Sequence, residues 1–180
     1  MFLKERDMKK NWLFMLFAVL CFTSCIKDDE ERNGESKILP GDSLPSFELM
    51  AINGETISSE TLKGKVAFLV FFDTTCGDCR RELPFVEAVW KDLKDDSSFA
   101  MWTISRGQTA NTVSDYWKEN AFNMPVYIDN DRKAYSLFAD MTIPRFYLAD
   151  RSGTVRWIAD TSLGITVEQL ENKIRNLLSE

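Results

Sequence analysis

The chain has 180 residues, an apolar content of 44% and a formal net charge of −6 at pH 7. This length supports one domain with a sizeable core, and an acidic chain without a basic run in its body argues against nucleic-acid binding. The sequence contains no histidine. This absence excludes Ser-His and Cys-His catalysis and most zinc sites.

The amino terminus has the pattern of a targeting segment. Lys4, Arg6, Lys9 and Lys10 precede an uninterrupted apolar run over residues 12–22. A run of this length is too short to span a bilayer, which needs ~20 residues, and is typical of a signal-peptide core. Thr23-Ser24-Cys25 then resembles a bacterial lipobox, in which the cysteine is lipidated. We expect a lipoprotein signal peptide over residues 1–24 and lipidation of Cys25; the alternative is ordinary cleavage near Ser24.

A charged segment follows the predicted lipidation site. Residues 27–32 are all charged and have no apolar period, so residues 25–39 are predicted to be an acidic, flexible tether. Acidic residues after a lipidated cysteine resemble the export signal of surface-exposed lipoproteins in some Gram-negative bacteria. The sequence thus predicts a membrane lipoprotein of the cell envelope. We expect it in the outer membrane facing the periplasm, with surface exposure as the alternative.

The predicted domain, residues 40–180, opens with a β-hairpin. Two short strands, 46–50 and 55–58, flank the turn pair Asn53-Gly54. The continuous apolar run 66–72 predicts a strand buried on both faces, as in a parallel sheet. A helical pattern over about residues 76–93 comes next.

The second half continues with alternating strands and helices. Residues 99–104 and 125–128 are predicted strands, separated by a helix that Asn111 or Thr112 caps. A short helix over 131–138 precedes a hairpin of strands 145–149 and 154–159, and Thr166 with Gln169 forms a capping box for a last helix. This order predicts an α/β fold, with an N-terminal β-hairpin and a central mixed β-sheet flanked by helices on both faces.

The chemistry is expected at Cys76-Gly77-Asp78-Cys79, where the buried strand turns into a helix. The first helical turn offers unpaired N–H groups and the positive end of the helix dipole, and both stabilise a thiolate. Cys79 lies about one turn beyond Cys76, close enough to close a disulfide. The pattern therefore predicts a dithiol/disulfide exchange site.

These motifs, with Thr142-Ile143-Pro144-Arg145-Phe146 and Glu82 after the second cysteine, resemble the thioredoxin superfamily. The leading segment that ends in Leu62-x-Gly64-Lys65 narrows the resemblance to TlpA/ResA-like thiol–disulfide oxidoreductases. The resemblance implies a thioredoxin-like fold and a redox-active Cys76–Cys79 disulfide in place of a cofactor.

The resemblance also implies residue roles. Cys76 would be the nucleophile, Cys79 the resolving thiol, and Glu82 a proton acceptor or donor for Cys79. Pro144 would be a cis-proline facing the cysteines, and Ile143 would pack over the disulfide, so both would contact substrate.

The sequence departs from the family around the sulfurs. Thr75 stands where the family usually has Trp, Asp78 replaces the usual Pro, and Val70 occupies the position of a buried acid in thioredoxin. Thr75, Gly77 and Asp78 are therefore the predicted redox-tuning residues. Because a nearby negative charge disfavours a thiolate, Asp78 is expected to make the pair more reducing, with Arg80 and Arg81 opposing it.

Protein thiols or disulfides are the expected substrates, and a reductase would need a membrane electron-transfer partner. Neither nucleic acid nor a resident metal is expected. Three rival functions remain open. One is a peroxiredoxin-like peroxidase, although Leu69 and Asp73 replace that group's Pro and Thr. Another is Cu(I) binding or delivery through two thiolates with Met124 or Met141. The third is an adaptor with an unreactive disulfide.

Overall fold

The computed structural model describes residues 36–180, which contain a seven-stranded sheet. The predicted signal peptide, Cys25 and most of the predicted tether lie outside the described residues. The strands are β1 (Glu48–Ala51), β2 (Thr56–Ser58), β3 (Val66–Phe72), β4 (Phe99–Arg106), β5 (Val126–Asp129), β6 (Arg145–Ala149) and β7 (Val155–Asp160). The helices are α1 (Gly77–Leu93), α2 (Ala110–Glu119), α3 (Tyr135–Phe138) and α4 (Val167–Ser179), with a 3₁₀ turn over Ser59–Leu62.

The sheet order is β2-β1-β5-β4-β3-β6-β7. Strands β3, β4 and β5 are parallel, whereas β1, β2, β6 and β7 pair with their neighbours in antiparallel fashion. This is the predicted mixed sheet, and the fold class is confirmed. The amino-terminal hairpin and the β6–β7 hairpin are also where the turn residues predict them.

Strand β3 is central because both of its faces are buried. Its alternate residues enter two separate cores, as the two-residue period of a strand requires. Val66, Phe68, Val70 and Phe72 pack with residues of α1, α2 and α4 on one face. Ala67, Leu69 and Phe71 pack with residues of α3 on the other. Every residue of β3 is at most 1% exposed, so the strand fixes the position of the chain that leaves it.

Helix α1 begins directly after this strand. Cys76 is its N-cap residue, and the buried face of the helix includes Leu83 and Val86. These apolar residues recur at a helical spacing and press the helix against the sheet. Together, strand and helix place Cys76 at the carboxyl end of β3.

Two elements differ from their sequence-based predictions. The N-cap of α2 is Thr109, whose Oγ1 accepts the N–H of Thr112, so Asn111 and Thr112 lie inside the helix. The helix predicted over 131–138 is shorter because its start forms a turn. The carboxylate of Asp129 accepts the N–H groups of Ala134 and Tyr135, and the regular helix extends only over Tyr135–Phe138.

The domain also extends further toward the amino terminus than the predicted boundary at residue 40. Ser36 pairs with Ala139 as an isolated bridge, and the backbone N–H of Lys37 donates to Phe138 O at 2.8 Å. Backbone pairing of this kind leaves no apolar pattern in the sequence. Residues 36–39, assigned to the tether by composition, therefore contact the folded domain.

Candidate active site

The two cysteines lie where β3 passes into α1, and both are thiols in the structure. Cys76 is partly exposed, whereas the Cys79 side chain is fully buried. The backbone N–H of Cys79 donates to Cys76 Sγ at 3.3 Å, as expected for an N-cap side chain. This N–H and the helix dipole both favour negative charge on the Cys76 sulfur.

The buried thiol has the opposite electrostatic environment. Burial, reinforced by the neighbouring Cys76 side chain, raises the pKa of the Cys79 thiol far above its ordinary value. Removing a sulfur from water penalises the thiolate but not the neutral thiol. The geometry thus distinguishes one accessible sulfur at a helix terminus from one sulfur kept protonated behind it.

The loop before β6 faces Cys76. The Ile143–Pro144 peptide bond is cis, as predicted, and Pro144 is buried while Ile143 is partly exposed. Because Phe71 is paired with Arg145 in the sheet, the residues that follow β3 and those that precede β6 meet at the same edge. The Cys76 thiol lies 3.7 Å from Ile143 O, to which it donates. Cys76, Cys79, Ile143 and Pro144 are therefore brought together.

Glu82 lies one turn beyond Cys79 on α1 and is partly buried. Its Oε2 accepts the backbone N–H of Leu163 at 3.2 Å, so the carboxylate bridges α1 and the segment before α4. This bond fixes one carboxylate oxygen beside the helix that carries both cysteines.

The three predicted tuning positions differ in their surroundings. Thr75 is exposed, and its N–H and hydroxyl both donate to Asp73 Oδ1 at 2.7 Å. Gly77 opens α1, and a Cβ added there would meet no atom within 4 Å. Asp78 forms an ion pair with Arg81, and both side chains are substantially exposed. A charge of each sign therefore lies on the first turn and a half of the helix.

Arg80 does not pair with Asp78; its Nε donates instead to Thr74 O at 2.7 Å. Val70 is buried in the core, so no acid lies at that position behind the cysteines.

Sequence reasoning did not identify several residues that hold the site. Gln108 forms hydrogen bonds with Thr74, Arg106 with Met141, and both Tyr135 and Arg145 with Thr142. Arg145 follows Pro144 directly and is only 2% exposed, so the proline motif was its one available signal. Gln108, Arg106 and Tyr135 belong to no motif in the sequence.

Within residues 36–180, no group of three or more His, Cys, Asp or Glu side chains is arranged to hold a metal ion. Met124, one of the two methionines considered for Cu(I), is 2% exposed and belongs to the core. Met141 is 78% exposed on the loop before Pro144.

The AhpC/TSA family signature matches residues 40–158. The chain belongs to the AhpC/TSA family. Among curated relatives, it is 28% identical over 151 residues to the thiol-disulfide oxidoreductase ResA of Bacillus subtilis, covering 82% of this chain and 84% of that protein.

Two solved structures extend the comparison for this AhpC/TSA family chain. A candidate protein disulfide isomerase from Bacteroides thetaiotaomicron has a TM-score of 0.77 and 27% identity, covering 82% of this chain and 94% of that one. A thioredoxin family thiol:disulfide interchange protein from Chlorobium tepidum TLS has a TM-score of 0.64 and 25% identity, covering 78% and 97%. The resemblance to ResA-like thiol–disulfide oxidoreductases is confirmed, and with it the enzyme class.

Proposed function

We propose that this enzyme is an exported, lipid-anchored thiol–disulfide oxidoreductase that exchanges disulfides with protein substrates and acts as a reductase. The observation that carries the proposal is the asymmetry of the two sulfurs. Cys76 is accessible and accepts the N–H of Cys79, whereas Cys79 is buried and protonated. A partly exposed nucleophile in front of a buried resolving thiol suits a two-step exchange.

In the first step, the Cys76 thiolate attacks one sulfur of a substrate disulfide. A bond forms between Cys76 Sγ and that sulfur, the substrate S–S bond breaks, and the other substrate sulfur leaves as a thiolate. The N-terminal N–H groups of α1 favour the attacking anion. Ile143, whose carbonyl contacts Cys76, and Pro144 would contact the substrate backbone as it approaches.

In the second step, Cys79 loses its proton and attacks Cys76 Sγ. The Cys76–Cys79 disulfide forms, the mixed disulfide breaks, and the second substrate thiol is released, so two electrons have passed to the substrate. Since burial keeps Cys79 protonated, this step needs a proton acceptor. We assign that role to Glu82, which follows Cys79 by three residues on α1.

The remaining parts of the proposal concern the cell envelope. The signal peptide predicted over 1–24 would direct export of the protein. Lipidation of Cys25 would then anchor the domain to a membrane through the acidic tether. An oxidising compartment supplies no reductant, so a reductase there needs a membrane partner that returns electrons to the Cys76–Cys79 disulfide. Within residues 36–180, no helix is long and apolar enough to cross a bilayer.

The decisive experiment measures the reduction potential of the Cys76–Cys79 pair together with insulin reduction. A potential near or below about −270 mV, with insulin turnover, would support a reductase. A potential near about −120 mV would instead make the protein a disulfide donor. No exchange in either direction would contradict the proposal, and retained Cu(I) or turnover of hydrogen peroxide would then favour one of the rival functions. Labelling with a palmitate analogue, with Cys25→Ala as control, tests the anchor.

A further inference from the structure

The last residue of β4 and the turn that follows it contact two loops and the end of β5, at the edge of the sheet where the cysteines lie. Arg106 Nη1 donates to Met141 O at 2.7 Å, and the backbone N–H of Gly107 donates to Asp129 O at 2.8 Å. The third contact is made by the side chain of Gln108. We call residues 106–108 the β4 turn.

The amide of Gln108 holds the loop that carries Cys76. Its Oε1 accepts the backbone N–H of Thr74 at 2.9 Å and the hydroxyl of Ser105 at 3.0 Å. Its Nε2 donates to Thr74 Oγ1 at 2.8 Å. Arg80 occupies the remaining polar group, Thr74 O, so every polar group of Thr74 is bonded. Thr74 is 4% exposed and lies two residues before the nucleophile.

The opposite side of the site is held from the same turn. While Arg106 binds Met141 O, Thr142 O accepts bonds from Tyr135 Oη at 2.7 Å and Arg145 Nε at 3.1 Å. These two anchored carbonyls immediately precede Ile143, whose own carbonyl contacts Cys76 Sγ.

Glycine is favoured in the middle of the β4 turn, because the backbone there has a positive φ that other residues rarely adopt. Gly107 has a φ of +76°, and a Cβ there would lie 2.7 Å from Arg132 Nε. The Arg132 side chain therefore lies close to the backbone of the turn.

We propose that Gln108 is a positioning residue for disulfide exchange, and that Arg106 on the same turn has the corresponding role for the loop that contains Met141. The β4 turn sets the separation between Cys76 Sγ and the backbone of residues 142–143, where substrate would lie. This inference rests on the proposed function, since it assigns a role in that same exchange. Attack on a disulfide needs close alignment of the reacting sulfurs, and a misplacement of about 1 Å costs up to about 100-fold in rate.

The test uses the full chain purified in detergent and four variants. Gln108→Met keeps the side-chain length but removes the amide. Thr74→Val replaces the hydroxyl by a methyl group, whereas Thr74→Ser keeps the hydroxyl. Ser59→Ala is the matched control, because Ser59 Oγ also accepts a buried backbone N–H, that of Phe47 at 3.0 Å, but Ser59 follows the outermost strand β2, which is four strands away from β3.

Two readouts separate positioning from stability. The first is kcat/KM for insulin reduction, and the second is the pH profile of Cys76 alkylation by iodoacetamide, which needs no protein substrate. We expect Gln108→Met to lower kcat/KM about tenfold and to alter the alkylation profile. Thr74→Val should show a smaller change in the same direction, and Thr74→Ser and Ser59→Ala should stay within about twofold of wild type. The melting temperature of each variant is measured alongside.

The outcomes distinguish this inference from the proposed function. If Gln108→Met and Thr74→Val leave both readouts at the wild-type level, or change them no more than Ser59→Ala does, the inference is overturned. If Gln108→Met fails to fold, the Thr74 pair decides by the same criterion. If wild type does not reduce insulin but the alkylation profile still responds to Gln108→Met, the positioning of Cys76 stands and the proposed function fails.

Discussion

Asp78 is expected to lower the reduction potential of the cysteine pair. It lies on the first turn of α1, and its side chain is 44% exposed and paired with Arg81. A Cys76 thiolate exists only in the dithiol form, so a negative charge nearby destabilises that form relative to the disulfide. Replacing Asp78 by Asn removes the charge with little change in shape and should make the pair more oxidising.

The magnitude follows from the position of Asp78 two residues beyond Cys76. A charge separation of roughly 7 Å, at an effective dielectric constant of about 40 for a half-exposed site, gives about 1 kcal/mol. For a two-electron couple this corresponds to a shift of about +20 mV. Arg81 lies farther along the helix and is 67% exposed, so Arg81→Gln should shift the potential by a smaller amount in the opposite direction.

Redox equilibration in glutathione buffers, followed by acid quenching and alkylation, measures these shifts for both single variants and the double variant. The double variant should fall between the two single variants, and higher salt should shrink all three shifts because the charges are exposed. If Asp78→Asn left the potential within about 5 mV of wild type, or lowered it, the electrostatic reasoning would be refuted.

Three further predictions concern other groups. Glu82→Gln should slow release of substrate from the Cys76 mixed disulfide by about 100-fold without slowing the first attack, because it removes a general base. Stopped-flow measurements with a disulfide peptide separate the two steps. Equal slowing of both steps would contradict the assignment. Burial raises the pKa of Cys79 above the ordinary thiol value of 9.0. The contribution of this thiol to the free energy of unfolding of the dithiol protein is therefore fully present below about pH 9. It is lost as pH rises toward the folded pKa, by at most about 1.4 kcal/mol per pH unit. Urea unfolding of the reduced protein and of Cys79→Ala from about pH 8 to 10.5 tests this, and equal pH slopes would show that the burial has no such effect. Glu87→Gln should lower the free energy of unfolding by about 1–3 kcal/mol, since the buried carboxylate accepts the N–H groups of Asn123 and Met124. The reduction potential should stay unchanged, and a shifted potential would disprove a purely structural role.

The features that sequence patterns predicted are those set by burial and by local chain geometry. The apolar run of β3 corresponds to a strand buried on both faces, and the capping box at Thr166 and Gln169 is present in the structure. Cys76 and Pro144 are far apart in the sequence, but each adjoins a strand whose place in the sheet follows from the element order. Their meeting at one edge was therefore accessible to prediction.

The N-cap of α2 shows where local reasoning failed. Thr109, Asn111 and Thr112 all have side chains that can cap a helix, and no sequence pattern favours the first. In the structure, Gly107 forms a hydrogen bond with Asp129, and Gln108 forms one with Thr74. These bonds hold the chain just before residue 110, where the helix begins. A contact between distant loops therefore selects the cap.

The hydrogen bonds that hold the site are likewise contacts between parts of the chain that are far apart in the sequence. Gln108 reaches Thr74 across 34 residues, and Arg106 reaches Met141 across 35. Such bonds join a polar side chain to a loop whose residues have no periodic pattern, so neither hydrophobic period nor residue spacing reveals them. Because both bonds start from one turn, the proposed positioning role predicts that a change there would shift Cys76 relative to the backbone of residues 142–143, whereas a change at either loop alone would shift one side only. The motif residues predict the chemistry, and the long-range bonds of the β4 turn are the basis for the positioning role that we propose for it.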